Sequence, residues 1–414
     1  MTLDKPAIVG VYNTRQAKRL EQTTRSLLRE AFIGALDDAG LTPADVDGLC
    51  VSGANLDARD ELQLAKTMIY DLKVGPAWRG LQQDLAVFEA VGAIEIGLAD
   101  VVVIISAAAG SHTDRSATAP WTRPENPYVA PFGLFTAAEF GMTARRHMEK
   151  YGTTAEQIAN VSAIIRNNGH VNPEAVFFQR GPYTVEDILA SRMIADPFHL
   201  LDCSMTSEGG CGLVIVSGRV AARLDRAPVY LLGSGADYLG PEYQFPPSLD
   251  YVGRAGTPPA GLVGARAADR AFAQARLGRQ DVDVLELYEP FSFEVIRQLE
   301  AFGFCPVGEG GRFAQDGHIG PGGSTPVTTD GGLLSYGHAG AHVQILQRTI
   351  RGVQQLRGEA ATMQVPGAHV ALFSIGGAGA LYTAVGILGD RTVAAEVASD
   401  PRSRHTVASR EEHC

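Results

Sequence analysis

Two stretches of this chain lie 236 residues apart in one register, and no other feature of the sequence narrows the possible folds as far. At that offset Ala35 falls on Ala271, Ala39 on Ala275, Leu41 on Leu277 and Leu49 on Leu285, and Asp45-Val46-Asp47 falls on Asp281-Val282-Asp283. In the first copy, Gln22 to Ala39 sets Leu27, Leu28, Ala31, Phe32, Ala35 and Leu36 at helical spacing. A polar turn follows from Leu41 to Asp47, and Leu49 to Ser52 reads as a strand. A helix–turn–strand unit present twice marks an internal duplication. A second pair of segments agrees. An apolar helix over Leu85–Gly97 leads to a strand over Val101–Ile105, and a helix over Val343–Leu356 leads to a strand over His369–Ser374. Strands this apolar, without polar alternation, are covered on both faces, and their alternation with helices gives layered α/β packing. The expected fold is duplicated α/β. Two halves, residues 1–225 and 226–390, pack their central helices between two sheets and form five α-β-α-β-α layers.

The first half carries an insertion of about residues 110–200. It opens with a loop rich in Ser, Thr, Pro and Ala, Gly110 to Pro131, and continues with helices over Ala137–Lys150, Thr154–Asn167 and Val185–Met193. Thr153 and Glu156 stand at capping-box spacing before the second of these. An insertion this long between core strands is expected to build a lid or a partner surface. Beyond Gly389 the chain turns polar, and residues 391–414 read as a loose tail.

Charge and cysteine usage exclude several functions. A net charge of −11 argues against nucleic acid, whose phosphates need a basic face. No uninterrupted apolar run reaches the roughly 18 residues that span a membrane, and Met1–Pro6 carries no apolar signal core, so a cytoplasmic protein is expected. The five cysteines, Cys50, Cys203, Cys211, Cys305 and Cys414, are widely spaced without a C-x-x-C pair. They read as reduced thiols in packing roles and predict neither a zinc site nor a redox dithiol.

The candidate chemistry concentrates in Gly331-Gly-Leu-Leu-Ser-Tyr336-Gly-His338-Ala-Gly-Ala-His342-Val343. Glycines on both sides allow a tight turn or a close approach to a ligand. Two readings of these residues stand: a packed turn whose tyrosine and histidine satisfy backbone carbonyls, or a pocket holding two titratable groups. Asp330 before the turn is expected to fix it through its side chain. Glu289 is expected to orient Tyr288 or to cap a helix beginning near Phe291. His342 has no carboxylate or cysteine at ligand spacing, and no metal is expected.

Several motifs, met in one order from about Ala7 to Leu388, give the chain a family likeness. They are Asp47-Gly-Leu49, Gly97-Leu-Ala-Asp-Val-Val-Val103, Met148-Glu-Lys-Tyr-Gly-Thr-Thr154, Asn172-Pro-Glu-Ala175, Gly181-Pro-Tyr-Thr184, Glu286-Leu-Tyr-Glu-Pro-Phe291 and Gly303-Phe-Cys-Pro-Val-Gly-Glu-Gly-Gly311. This pattern resembles the thiolase superfamily in its sterol-carrier-type branch. The family's nucleophilic cysteine would fall near Gly80, where Pro76 to Asp84 holds no Cys, Ser or Thr. Its second cysteine would fall at Ser374, before Gly376-Gly377, and its polar Asn or His at Tyr288; the family's histidine is kept as His338. A lost nucleophile with tyrosines at these two motifs resembles the thiolase-like aldolases of bacterial sterol side-chain catabolism.

That resemblance implies a retro-aldol cleavage of a β-hydroxyacyl-CoA, with coenzyme A as part of the substrate and no permanently bound cofactor. It implies Tyr288 and Tyr336 as the acid/base pair, His338 polarising the thioester oxygen, and Gly376 and Gly377 offering backbone N–H groups to the same oxygen. It also implies a homodimer and a small OB-fold partner carrying a zinc ribbon, together a heterotetramer. The alternatives are a thiolase or acyltransferase using a cysteine elsewhere, and a non-catalytic subunit that binds acyl-CoA.

Overall fold

The computed structural model describes residues 5–53, 58–80, 85–110, 136–238, 262–340, 342–376 and 382–399. Among these residues the strands are β1 (Ala7–Asn13), β2 (Gly48–Gly53), β3 (Trp78–Arg79), β4 (Val101–Ala108), β5 (Met193–Ala195), β6 (Phe198–His199), β7 (Gly209–Val216), β8 (Val229–Tyr238), β9 (Val284–Glu286), β10 (Val370–Gly376) and β11 (Tyr382–Gly389). The helices are α1 (Thr24–Ala39), α2 (Ala58–Leu72), α3 (Ala86–Glu95), α4 (Thr136–Tyr151), α5 (Ala155–Val171), α6 (Val185–Ala190), α7 (Gly218–Ala221), α8 (Ala265–Ala275), α9 (Phe293–Ala301), α10 (Gly310–Gln315), α11 (Gly332–Ser335), α12 (Val343–Arg357) and α13 (Arg391–Ser399).

Both copies of the repeat fold alike. Helix α1, a 3-10 turn at Pro43–Asp45 and β2 are matched by α8, a 3-10 turn at Arg279–Asp281 and β9. The paired aspartates hold equivalent places. Asp47 accepts the amides of Asp100 and Val101, where β4 begins, at 2.8 to 2.9 Å. Asp283 accepts those of His369 and Val370, where β10 begins, at 2.8 and 2.9 Å. Each carboxylate thus ties the start of one strand to its parallel neighbour through charge-assisted hydrogen bonds.

The strands of the two halves form two runs that also join edge to edge. The strand order is β3-β2-β4-β7-β1-β8-β11-β10-β9, with Ala7 opposite Tyr230 and Ile8 opposite Val229 at the junction. The short pairing satisfies edge amides and carbonyls that a separate sheet would leave open. Alternation along the strands divides the core in two. In β4, Val101, Val103, Ile105 and Ala107 face an outer core with α1, whereas Val102, Ile104 and Ala108 face an inner core with α3 and α12. In β10, Val370 and Leu372 point outward and Ala371, Phe373 and Ile375 inward. Helix α12 packs on β9 and β10 of its own half and on β1, β4 and β7 of the other. The central helix therefore lies between strands of both halves, as the duplicated layers require.

Two local expectations change. The capping box of α5 uses Thr154 and Gln157, because Thr153 turns inward to meet Nδ1 of the buried His147 at 2.9 Å. The supposed tail begins with helix α13, whose first amides, those of Thr392 and Val393, donate to Asp390 at 2.9 and 3.0 Å and whose Ala394 is buried. Residues 111–131 of the expected loop and residues 400–414 lie outside the described residues. No described helix is long and apolar enough to cross a membrane.

Candidate active site

Tyr288 stands just beyond the end of β9, which runs parallel to β10 with Glu286 opposite Phe373. Its backbone is clamped on both sides. The Tyr288 amide donates to Ser374 Oγ at 2.8 Å, and the Tyr288 carbonyl accepts from Gln298 Nε2 at 2.7 Å. The Ser374 hydroxyl in turn donates to Gln298 Oε1 at 2.5 Å. Ser374, at the place the resemblance gives to a cysteine, thus holds a tyrosine's main chain. The Tyr288 ring lies against Gly376, where a β-carbon would meet Cδ1 at 2.7 Å, so only glycine admits the ring there. Gly377, the other expected contributor, lies outside the described residues.

Tyr336 closes the short helix α11, which starts at Gly331 with φ 102°. Asp330 fixes this turn as expected, accepting the Gly332 amide at 2.8 Å, and it also forms a two-pronged buried ion pair with Arg348 at 2.8 and 2.6 Å. The insertion holds the other side. The Val176 amide donates to the Tyr336 carbonyl at 3.0 Å, the Phe177 amide to that of Ser335 at 3.1 Å, and Arg166 Nη1 to that of Leu334 at 2.8 Å. The Tyr336 side chain is 1% exposed and its hydroxyl has no hydrogen-bond partner. Burial, helped by Glu174 and Asp330, raises its pKa well above 10, so it stays a phenol. It lines a cleft of about 600 Å³ whose other walls include Asn13, Gln16, Glu174 and three exposed cations, Arg15, Lys18 and Arg180. Lys18 and Arg180 stand over the Phe177 ring at 5.4 and 5.5 Å from its centre.

His338 follows two residues later. Its amide donates to Ser207 Oγ at 2.7 Å and its carbonyl accepts the Ser207 amide at 3.0 Å. Nδ1 faces the Met205 carbonyl oxygen at 3.1 Å. A carbonyl only accepts, so Nδ1 carries the proton and the neutral ring keeps its lone pair on Nε2. Burial lowers the pKa to about 4, so the ring is neutral near pH 7. In that state Nε2 accepts a hydrogen bond. Polarising a thioester oxygen, the role expected of His338, would need a second proton that burial disfavours.

The segments carrying these residues meet in one place. Tyr336 and His338 flank Gly337, and Tyr288, Leu333 and Ala339 share the inner core. Glu289 neither caps a helix near Phe291 nor reaches solvent; its carboxyl accepts the Leu333 and Leu334 amides of α11. Sequence reasoning also missed the buried charges behind the turn. Glu286 accepts from Thr329 Oγ1 at 2.6 Å and from Arg348 at 3.3 Å, and Arg351 donates to Thr329 Oγ1 at 2.8 Å. Their signal was the spacing Gln344, Arg348, Arg351, Gln355, which on a helix reads as a solvent face until the opposite layer is known. His342 instead joins the halves, its Nδ1 lying 2.7 Å from Ser52 Oγ at the end of β2.

None of the four described cysteines is disposed as a nucleophile. Burial pushes the thiols of Cys50, Cys203 and Cys305 up to about 12 and that of Cys211 higher still. A reactive thiolate needs the opposite shift. Among the described residues no His, Cys, Asp and Glu cluster could hold a metal ion.

Residues 260–390 match the family model described as thiolase C-terminal domain-like. The chain is 35% identical to a steroid side-chain-cleaving aldolase of Thermomonospora curvata, over 84% of this chain and 90% of that one. It is 34% identical to the 17-hydroxy-3-oxo-4-pregnene-20-carboxyl-CoA lyase of Mycobacterium tuberculosis, over 86% and 93%. An acetyl-CoA acetyltransferase of Methanothermobacter thermautotrophicus is 32% identical over 90% and 96%. Among solved structures, the Ltp2-ChsH2(DUF35) aldolase superposes with a TM-score of 0.78 at 30% identity, covering 94% of this chain and 99% of that one.

Proposed function

The chain belongs to the thiolase superfamily, on the branch of the steroid side-chain-cleaving aldolases, and we propose that Tyr288 and the turn from Gly331 to Val343 perform its carbon–carbon bond cleavage. The protein is a lyase. Its substrate is a β-hydroxyacyl-CoA with a steroid-like side chain, and its products are a ketone or aldehyde and a shorter acyl-CoA. The observation that carries this reading is Tyr336, a residue that lines a cleft with a cationic rim, whose buried hydroxyl has no hydrogen-bond partner and which stands two residues from a neutral histidine.

Retro-aldol cleavage needs a base for the β-hydroxyl proton, a site for enolate charge, and an acid for Cα. Tyr336, held as a phenol, is the acid that protonates Cα. Tyr288 takes up the hydroxyl proton, and the lone pair on His338 Nε2 draws the phenolic proton of Tyr288 away. As that proton moves, the Cα–Cβ bond breaks, its electron pair forms the enolate, and the carbonyl product leaves. The amides of Gly376 and Gly377 are assigned to the thioester oxygen while it carries the enolate charge. Arg15, Lys18 and Arg180 are the cations for the phosphates of coenzyme A, which enters as part of the substrate. The reaction needs no resident cofactor, metal or cysteine nucleophile. We further take the protein as a cytoplasmic homodimer joined to a small OB-fold partner with a zinc ribbon; the superposing Ltp2-ChsH2(DUF35) aldolase supports the presence of a second component alone.

The test is incubation of the protein, with and without such a partner, with β-hydroxyacyl-CoA esters, followed by mass spectrometry for a ketone or aldehyde and a shortened acyl-CoA. Tyr288→Phe and Tyr336→Phe are each expected to lose about 10²–10⁴-fold in kcat while remaining folded. Full activity in both variants would overturn the mechanism. The acetyltransferase relative favours a second reading, thiolysis, which requires consumption of free CoA.

A further inference from the structure

We propose that Glu289 is a positioning residue that registers Tyr336 against Tyr288; the proposal rests on the lyase reading above. Glu289 follows Tyr288 directly in the chain, yet its fully buried carboxyl reaches the other tyrosine's helix. Oε1 accepts the Leu333 amide and stands 3.4 Å from that of Leu334. These are first-turn amides, which no helix can satisfy from within. Helix α11 is four residues long, and its closing bonds all return to two carbonyls: Ser335 and Tyr336 donate to Gly331 at 2.8 and 3.3 Å, and Tyr336 and Gly337 to Gly332 at 2.8 and 3.1 Å. A helix this short does not hold itself, so the groups at its ends decide where it lies.

Both ends are held from outside the helix. The Glu289 carboxyl, which burial raises to a pKa of about 8 and so keeps mostly protonated near pH 7, takes the N-terminal amides through Oε1, and the Arg166 guanidinium donates to the Leu334 carbonyl at 2.8 Å. Glycine at 332 makes the approach possible. A β-carbon there would lie 1.8 Å from Glu289 Oε1 and 2.3 Å from Thr328 Cγ2, and φ is +54°. The strand end that carries Glu289 is itself fixed. Ser374 and Gln298 clamp the Tyr288 backbone, and the Pro290 carbonyl accepts the Ser204 amide at 2.8 Å. One rigid segment therefore places the first phenol through its main chain and the second through the next side chain. Acid and base in a single reaction need that registry, because a misplacement of about 1 Å can cost roughly 100-fold in rate.

The role requires an oxygen acceptor at Oε1, not a negative charge, and this separates the variants. Glu289→Ala is expected to lower kcat by about 10–100-fold with KM changed less than about 2-fold. Glu289→Gln, which keeps an Oε1 acceptor, should stay within about 3-fold of the parent. Gly332→Ala, whose methyl takes the carboxyl's place, should match Glu289→Ala, and the double variant should be no worse than either single one. A substrate-free readout accompanies the rates: 3-fluorotyrosine placed at position 336, whose ¹⁹F resonance should move in Glu289→Ala and Gly332→Ala and stay in place in Glu289→Gln. An unmoved resonance in Glu289→Ala overturns the proposal, as does Glu289→Gln losing as much activity as Glu289→Ala. If the parent protein cleaves no β-hydroxyacyl-CoA, the lyase reading fails by itself, and the resonance still decides the positioning.

Discussion

His338 and Tyr336 stand two residues apart, and burial moves their pKa values in opposite directions, the histidine down to about 4 and the tyrosine well above 10. One cause serves both, since a medium of low polarizability disfavours whichever form is charged. Both groups are therefore neutral near pH 7, the histidine an acceptor at Nε2 and the tyrosine a donor at its hydroxyl. The histidine's shift has a consequence for stability. Between about 4 and the ordinary value of 6.5 the unfolded chain binds a proton that the folded chain does not, so stability rises with pH through that window. It is lost as pH falls from 6.5 toward 4. Replacing His338 by glutamine, which does not titrate, should flatten this dependence. Urea unfolding at pH 7 and pH 4.5 is expected to show a smaller stability difference for His338→Gln than for the parent. An equal difference in the two proteins would mean that the ring takes up its second proton over the same pH range folded and unfolded, and so that burial does not lower its pKa.

The repeated elements give a test that a single copy could not. Asp47 and Asp283 each bind two amides at the start of the neighbouring parallel strand, one in each half of the fold. Loss of either carboxylate leaves two amides unpaired, so Asp47→Ala and Asp283→Ala should each cost roughly 1–3 kcal/mol in urea unfolding. The double variant should show their sum to within about 0.5 kcal/mol. A marked excess would mean that the halves share strain. This level of structure was legible in the sequence because the same pattern occurs twice: helix, 3-10 turn, aspartate and strand all sit where the offset places them. What could not be read depends on groups far apart in the chain. Nothing near Glu289 indicates that it serves a helix beginning 43 residues later. The polar face of α12 looks solvated until the layer above it is known. The β1–β8 junction needs only two residue pairs, too few to leave a pattern. Thr153 and Thr154 offer equal capping chemistry, and the choice falls to His147, which claims the first. Of the candidate site, the roles of the tyrosines and the histidine are proposed through the family likeness alone. The tautomer of that histidine depends on the Met205 carbonyl, which only the fold brings near.

At the scale of the molecule, the proposed lyase mechanism draws its acid, base and oxyanion contacts from the second half and asks no covalent chemistry of the first. A thiolysis mechanism must form an acyl-cysteine, and it must do so with one of the thiols present. Cys211 is fully buried in β7, between β4 and β1, and its sulfur faces the Val343 carbonyl at 3.5 Å. Cys50, on β2, crowds Gly80, where a β-carbon would meet its sulfur at 2.4 Å. With thiols at about 12 for Cys50, Cys203 and Cys305, the thiolate fraction near pH 7 is on the order of 10⁻⁵. Alkylation therefore separates the reaction classes for the whole chain. Treatment with iodoacetamide at pH 7 should leave cleavage of a β-hydroxyacyl-CoA unchanged, even where the mass of the protein shows that an exposed thiol has reacted. Intact-protein mass spectrometry after mixing with acyl-CoA should show no acyl adduct, and cleavage should proceed at full rate without added CoA. Inactivation together with protection by acyl-CoA, or a trapped acyl adduct, would return the chain to the thiolases and leave Tyr288 and Tyr336 as residues of a substrate pocket.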